Sequence, residues 1–322
     1  MESRESLRGR LSIVMPSADY RARYLRQGLL HLAREGFDGD LILLDFGRER
    51  LDGMGLWTGA EPYRLRYFYN GAEMPYFQHI RVGAEAVETP YVLFHPDDDF
   101  MFLDVIRACV ALLEARPDYA VVQGKAVRFK DGERSPKYHA YSMLPIEDAS
   151  PLLRFVRLCL SYNHQMYLTQ RRDHFLRKMT LGERFKDDVL FWQYYDSALS
   201  VIEGKSAVLP SLGFARRVHA QGWSEGHKAS RDPTVFPYIL LEDDFSRKFR
   251  AFREAVLELL TASGPLTDEQ TRLFEDACIN LMGWGLCGQR ADNQDAKNLP
   301  ALLQRPAEQD KLRRMLACME TD

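Results

Sequence analysis

Five short strand-like runs, most of them separated by residues with helical spacing, restrict what this chain can fold into. They are LSIVM (11–15), LILLD (41–45), YRLRYFY (63–69), YVLFH (91–95) and YAVVQG (119–124). After the first run, Tyr24, Leu25, Leu29 and Leu32 share one helical face, and Gly36 stands where a helix would be capped. After the third, Ile80, Ala84 and Val87 repeat that pattern over 76–88; after the fourth, a helical pattern over 101–116 is ended by Pro117. Strands and helices in turn build βαβ units. Strands that are apolar throughout belong in a mainly parallel sheet covered on both faces by helices. The expectation is an α/β fold with a Rossmann-like sheet.

The pattern then loosens. Residues 130–149 are polar, with Gly and Pro, and read as a surface insertion. Ser150 followed by Pro151 predicts a helix start, HQMYLT (164–169) a strand, 187–200 a helix and SAVLP (206–210) another strand. The stretch 220–237 is rich in Gly, Ser, His and charge and reads as a loop able to move. The last 85 or so residues carry long helical patterns, and Thr267 with Gln270 matches a capping box. The expected division is an α/β domain over 1–237 and a helical subdomain over 238–322.

Composition narrows the functional classes. A net charge of −3 does not suit wholesale nucleic-acid binding. The five cysteines are scattered and form no CxxC pair, which points away from a disulfide framework or zinc cluster and towards a reducing, cytosolic setting. The polar start MESRESLRGR does not read as a signal peptide. No apolar run approaches the ~18 to 20 residues that span a bilayer, so any membrane contact is expected from the surface.

Ligands of open parallel α/β sheets bind at the carboxyl ends of the strands. Four features fall there: Pro16-Ser17, Asp45, the triplet Asp97, Asp98 and Asp99, and Gln123-Gly124. The triplet, in FHPDDDF, places three like charges between apolar residues. Two unit charges about 4 Å apart repel by about 4 kcal/mol at an effective dielectric of 20. A solvated turn would dilute that cost, and a divalent cation would reverse it. Hard cations prefer carboxylate oxygens, and Mg²⁺ commonly takes one or two of them plus substrate phosphates.

The segments LSIVMPSADYRARYLRQGLLHL, LILLD and IRVGAEAVETPYVLFHPDDDF, in that order, resemble the nucleotide-sugar half of GT-A glycosyltransferases, especially the inverting, family 2-like enzymes. The resemblance spans about the first 220 residues. It implies a metal-dependent transfer of a sugar from a nucleotide-diphosphate donor to an acceptor hydroxyl on a glycan, lipid-linked or protein acceptor. Pro16 and Ser17 would then begin the donor loop, Asp45 would face the base, and Arg81 would meet the diphosphate. GERFKDDVLFWQYY (182–195) is similar to the segment carrying the catalytic acid, which points to Asp188 with Asp187 beside it. GFARRVHAQGW (213–223) is similar to the segment returning a histidine to the metal. That implies Asp99 and His219 as ligands of Mn²⁺ or Mg²⁺, with His227 competing for the role. Arg216 and Arg217 would lie near phosphate oxygens and Trp223 near the sugar.

The chain departs from the family pattern in its first loop, PSADYRARY, and at Pro96. The triplet therefore allows two registers, Asp97 with Asp99 or Asp98 with Asp99, leaving Asp97 or Asp98 for the ribose. The other readings are a sugar nucleotidyltransferase, disfavoured by the absence of glycine from PSADYRAR, and a non-catalytic nucleotide-sugar or glycan-binding module.

Overall fold

A computed structural model of the chain describes residues 5–133, 136–141, 143–162, 164–165, 167–219, 244–287 and 294–320, the side chains of 283–287 and 294–296 excepted. β1 (Leu11–Ser17), β2 (Asp40–Asp45), β3 (Arg64–Tyr69) and β4 (Tyr91–Phe94) fall on the first four strand-like runs. β1 pairs in parallel with β2 and β4, and β2 with β3. α1 (Ala22–Glu35) and α2 (Tyr76–Ala86) form the crossovers. Gly36 adopts the left-handed conformation at φ 74° and closes α1, as its place after the last periodic residue predicts.

The second half is built from β5 (Phe100–Met101), α3 (Leu103–Ala115), β6 (Tyr119–Lys130), β7 (His139–Tyr141), α4 (Pro151–Leu160), β8 (Thr169–Arg171), α5 (Arg172–Gly182), α6 (Val189–Glu203) and β9 (Lys205–Val218). The sheet order is β3-β2-β1-β4-β8-β6-β9-β5, with β7 beside β6. β8 is antiparallel to both β4 and β6, so β6 and its parallel partner β9 run with β1 to β4. The mainly parallel, helix-flanked sheet expected from the sequence is present.

Two strands are longer than their apolar runs. β6 was expected to stop at Gly124, yet it continues to Lys130. β9 runs to Val218, well beyond SAVLP. Gly124 does not end the strand; it lets the backbones meet. A Cβ built on it would lie 2.8 Å from the Cα of Gly213 on β9, and the ladder slips register at that point. Gln123-Gly124 is therefore mid-strand, and the carboxyl end of β6 carries Arg128 to Lys130. The expected surface insertion holds β7, and its Met143 and Ile146 are buried.

The side chains of β1 alternate between two cores. Ile13 and Met15 pack with Leu29 of α1 and Val110 of α3. Val14 packs on the other face with Phe77 of α2 and Trp192 of α6. The C-terminal helices are α7 (Phe245–Thr261), α8 (Asp268–Cys287), α9 (Gln294–Leu303) and α10 (Pro306–Met319). The capping box forms at α8: the Thr267 N–H donates to Gln270 Oε1 at 2.9 Å and the Gln270 N–H to Thr267 Oγ1 at 3.2 Å. Phe252 of α7 and Phe274 of α8 belong to the same apolar cluster as Val14, while Leu312 and Met315 of α10 pack with Phe100 and Phe129. Residue 237, the expected boundary, lies outside the described residues.

Phe252 is fully buried against Phe191 and Tyr194 of α6. Phe252→Ala is expected to cost about 3 to 5 kcal/mol. In urea unfolding followed by circular dichroism, one transition should shift as a whole. A separate transition at the wild-type midpoint would show that the helices unfold on their own.

Candidate functional site

The acidic triplet sits where the two halves of the sheet meet. The His95 N–H donates to Val14 O at 2.9 Å, holding the chain beside β1 as it leaves β4. The chain then crosses to β9, where Phe100 pairs with Ala215 and Met101 with Phe214. Asp97, Asp98 and Asp99 lie between these anchors and are buried, at 2%, 9% and 5% exposure. A solvated turn is thereby excluded.

A protein cation answers part of the repulsion. Arg21, in the single turn of 3₁₀ helix after β1, is itself buried. Its Nε lies 2.8 Å from Asp97 Oδ1, and its Nη2 lies 2.5 Å from Asp97 Oδ1 and 2.9 Å from Asp98 Oδ1. The Ser17 hydroxyl donates to Asp97 Oδ2 at 2.5 Å. Asp97 is thus engaged on both oxygens. Asp98 Oδ2 meets His219 Nε2 at 2.7 Å. Burial opposes the Asp98 charge, but the His219 hydrogen bond and Arg21 outweigh it and hold the carboxyl at about 2. Asp99 has less support. Its Oδ1 accepts the Arg217 N–H at 2.7 Å, and burial, then Asp98, push its carboxyl well above the usual range.

The triplet faces a cavity of about 710 Å³. One side is formed by Pro16, Tyr20, Phe46, Tyr76 and His79, around the ends of β1 and β2. The opposite side is formed by Arg128, Tyr141, Tyr162, Tyr167, Tyr194 and Arg216. His219 and the acids lie between them. The Arg216 Nη1 donates to the Tyr141 hydroxyl at 3.3 Å. Arg217, next along β9, is tied instead to Gln27 Oε1 at 2.8 Å and covers the Phe100 ring.

The remaining expected residues are placed as follows. Asp188 is the N-cap of α6: its Oδ1 accepts the Phe191 N–H at 3.0 Å, and its Oδ2 lies 2.9 Å from Lys248 Nζ. It does not line the cavity, although Leu190, Gln193 and Tyr194 of the same helix do. Arg154 fixes the other end of α6, donating to Val201 O at 2.5 Å and Ile202 O at 2.8 Å. Asp187 is exposed. Asp45 is fully buried and accepts from the Gly47 and Leu51 N–H groups and the Tyr67 hydroxyl, which closes the loop after β2. Arg81 pairs on the surface with Glu85 and Glu183 and does not line the cavity. Trp223 and His227 lie outside the described residues.

Sequence reasoning did not single out Arg21, Arg128 or the tyrosine wall. The signal for Arg21 was present in DYRAR, just beyond a buried strand that points at three acids. Arg128 lies in the six residues by which β6 outruns its apolar stretch, where periodicity gives no strand signal.

Among the described residues no three His, Cys, Asp or Glu side chains are grouped to hold a metal ion alone. Asp98, Asp99 and His219 nevertheless face one cavity, and His219 Nδ1 is buried without a partner among the described residues. With a buried carboxyl short of positive charge, this donor set fits Mg²⁺ or Mn²⁺, ions that take few protein carboxylates and fill the remaining positions with substrate phosphates or water.

No protein-family model matches the chain, and no curated protein matches its sequence. Solved structures do. TarS 1–349 of S. aureus in complex with UDP-GlcNAc aligns over 96% of this chain and 89% of its own, at 13% identity and a TM-score of 0.50. A longer S. aureus TarS structure aligns over 97% of this chain at 13% identity and a TM-score of 0.47, and this chain spans 55% of it. The likeness is one of fold: a mixed sheet flanked by helices, with a helical C-terminal region.

Removing the cation from a buried pair leaves an uncompensated charge. Arg21→Gln is expected to cost about 3 to 5 kcal/mol in guanidinium unfolding. Asp97→Asn in the Arg21→Gln background should recover part of that loss. Strict additivity of the two changes would show that they are uncoupled.

Proposed function

We propose that this protein is a metal-dependent, inverting glycosyltransferase of the GT-A, family 2-like kind, moving a sugar from a nucleotide-diphosphate donor to an acceptor hydroxyl. The observation that carries the reading is the buried acidic triplet at the carboxyl ends of the strands, in a cavity large enough for a donor. The fold shared with a protein solved with UDP-GlcNAc supports it.

The nucleoside end of the donor lies against Pro16, Tyr20, Phe46 and Tyr76. Ser17 and Arg21 position Asp97, whose oxygens are filled by the Ser17 hydroxyl and three Arg21 contacts, whereas Asp98 has one partner on each oxygen and keeps capacity for a ribose hydroxyl. Asp99 and His219 would hold the cation, with Asp98 alongside. When bound, the ion would act as a Lewis acid towards charge building on the leaving diphosphate. Asp188 takes the proton of the attacking hydroxyl. Its Oδ2 keeps a lone pair for this after bonding Lys248, and the helix cap on Oδ1 fixes the carboxylate plane. A transition state of oxocarbenium character is stabilised by the acidic surroundings. Asp187 flanks this residue on the exposed side.

The second reading, a non-catalytic nucleotide-sugar-binding module, is favoured by the position of Asp188 outside the cavity lining. Turnover separates the two. Asp188→Asn should lower transfer by about 10² to 10⁴-fold, the usual worth of a general base, and leave donor affinity within about threefold. A loss of affinity as large as the loss of rate would remove Asp188 from that role.

A thermal-shift screen of UDP-, GDP-, CMP- and dTDP-sugars, with Mn²⁺ and with EDTA, identifies the donor. The matching donor at 100 times its Kd should stabilise the protein by about 2.7 kcal/mol, and EDTA should remove most of the shift. No shift with any donor would overturn the proposed function.

A further inference from the structure

The side of the cavity away from the nucleoside end carries an unusual pairing. Arg128 of β6 and Arg216 of β9 are direct partners in the parallel ladder, and both line the cavity. Like charges facing one another across a strand pair are destabilising. Arg216 is offset by surrounding groups: it lies over the Tyr141 ring at 5.4 Å, donates to that hydroxyl, and feels Asp98 and Asp99. Among the described residues no acid pairs with Arg128, which is half-buried.

Two adjacent guanidinium groups in a partly desolvated pocket match one oxyanion, since each presents a planar fork of N–H donors. In the sheet order the acids, which follow β4, fall between β1 and β2, at the nucleoside end, and β6 and β9, which carry the pair, so the pair lies on the side left to an acceptor once a donor is bound. Resting on the proposed function above, we infer that Arg128 and Arg216 form an oxyanion seat for the acceptor, which is a phosphate-bearing molecule rather than a neutral sugar. Tyr141 positions Arg216 within it.

Inorganic phosphate titrated calorimetrically into protein saturated with UDP and Mn²⁺ tests the seat with the donor phosphates already in place. The wild type should bind it, R128Q should bind it about 10- to 100-fold more weakly, and R128K should recover only part of the loss. UDP affinity should stay within about twofold in R128Q. Y141F, which keeps the ring and removes the hydroxyl, should weaken phosphate binding by a smaller factor without lowering Tm. Failure of the UDP-loaded wild type to bind phosphate overturns the inference. So does a fall in UDP affinity as large as the fall in phosphate affinity, which would assign the pair to the donor. If UDP does not bind the wild type, the titration uses the nucleotide of the donor identified in the screen; if no donor binds, the proposed function falls, and phosphate titrated into the free protein and into R128Q still decides whether the seat exists.

Discussion

Arg21 makes the acidic triplet possible. Burying a carboxylate costs several kcal/mol even after relaxation, and three in succession also repel one another. The chain meets this with the 3₁₀ turn Asp19–Arg21 after β1, so that the strand end delivers Ser17 and the turn delivers Arg21 to Asp97. The compensation is graded. Asp97 has both oxygens engaged by Ser17 and Arg21, Asp98 shares Arg21 and meets His219, and Asp99 accepts one backbone N–H. The acid left least neutralised is the one beside the strand-to-strand crossing, facing the cavity. That imbalance is the basis of the cation site proposed above, while Asp97 keeps the turn in register.

This grading explains which parts of the site were legible in the sequence. Strand ends were readable because apolar runs such as LSIVM and LILLD stop sharply, so the positions of Ser17, Asp45 and the triplet along the chain were well located. What each acid touches was not readable. Asp45 and Asp97 both end up spent inside the protein, the first on two backbone N–H groups and a tyrosine, the second on Ser17 and Arg21. Nothing in the local sequence distinguishes a carboxylate with a free lone pair from one that closes a loop. The same limit applies at Asp188, where the helix-capping role and the ion pair to Lys248 coexist with the role expected of it.

The fold was more legible than the site because periodicity reports burial directly. It failed where burial and hydrogen bonding part company. β6 and β9 run on past their apolar stretches through VRF and FARRV, since they pair with each other, and β6 with β7 and β9 with β5, which satisfies their backbones whether or not the side chains are apolar. Those extensions carry Arg128, Arg216 and Arg217. A glycine at 124 reads as a terminator; its use is the close approach to Gly213, where the ladder shifts register. The misread strand end and the missed arginine are one error.

The tyrosine wall gives the cavity its remaining character. Burial pushes Tyr76, Tyr162 and Tyr167 up from their usual values, so their hydroxyls stay protonated and uncharged beside the acids. A neutral ring with a hydroxyl at its edge offers an apolar face and one polar atom. A sugar has the complementary make-up, with C–H faces and a rim of hydroxyls. Charge in this cavity is therefore concentrated at its centre and on one side, and the surfaces between suit the polyhydroxylated ligand of the proposed function. The wall depends on α6, which carries Tyr194 and Gln193 and is fixed by Asp188 at its start and Arg154 at its end. Movement of α6 would displace Tyr194 and Asp188 together, so one edge of the cavity and the proposed catalytic carboxylate share one mechanical support.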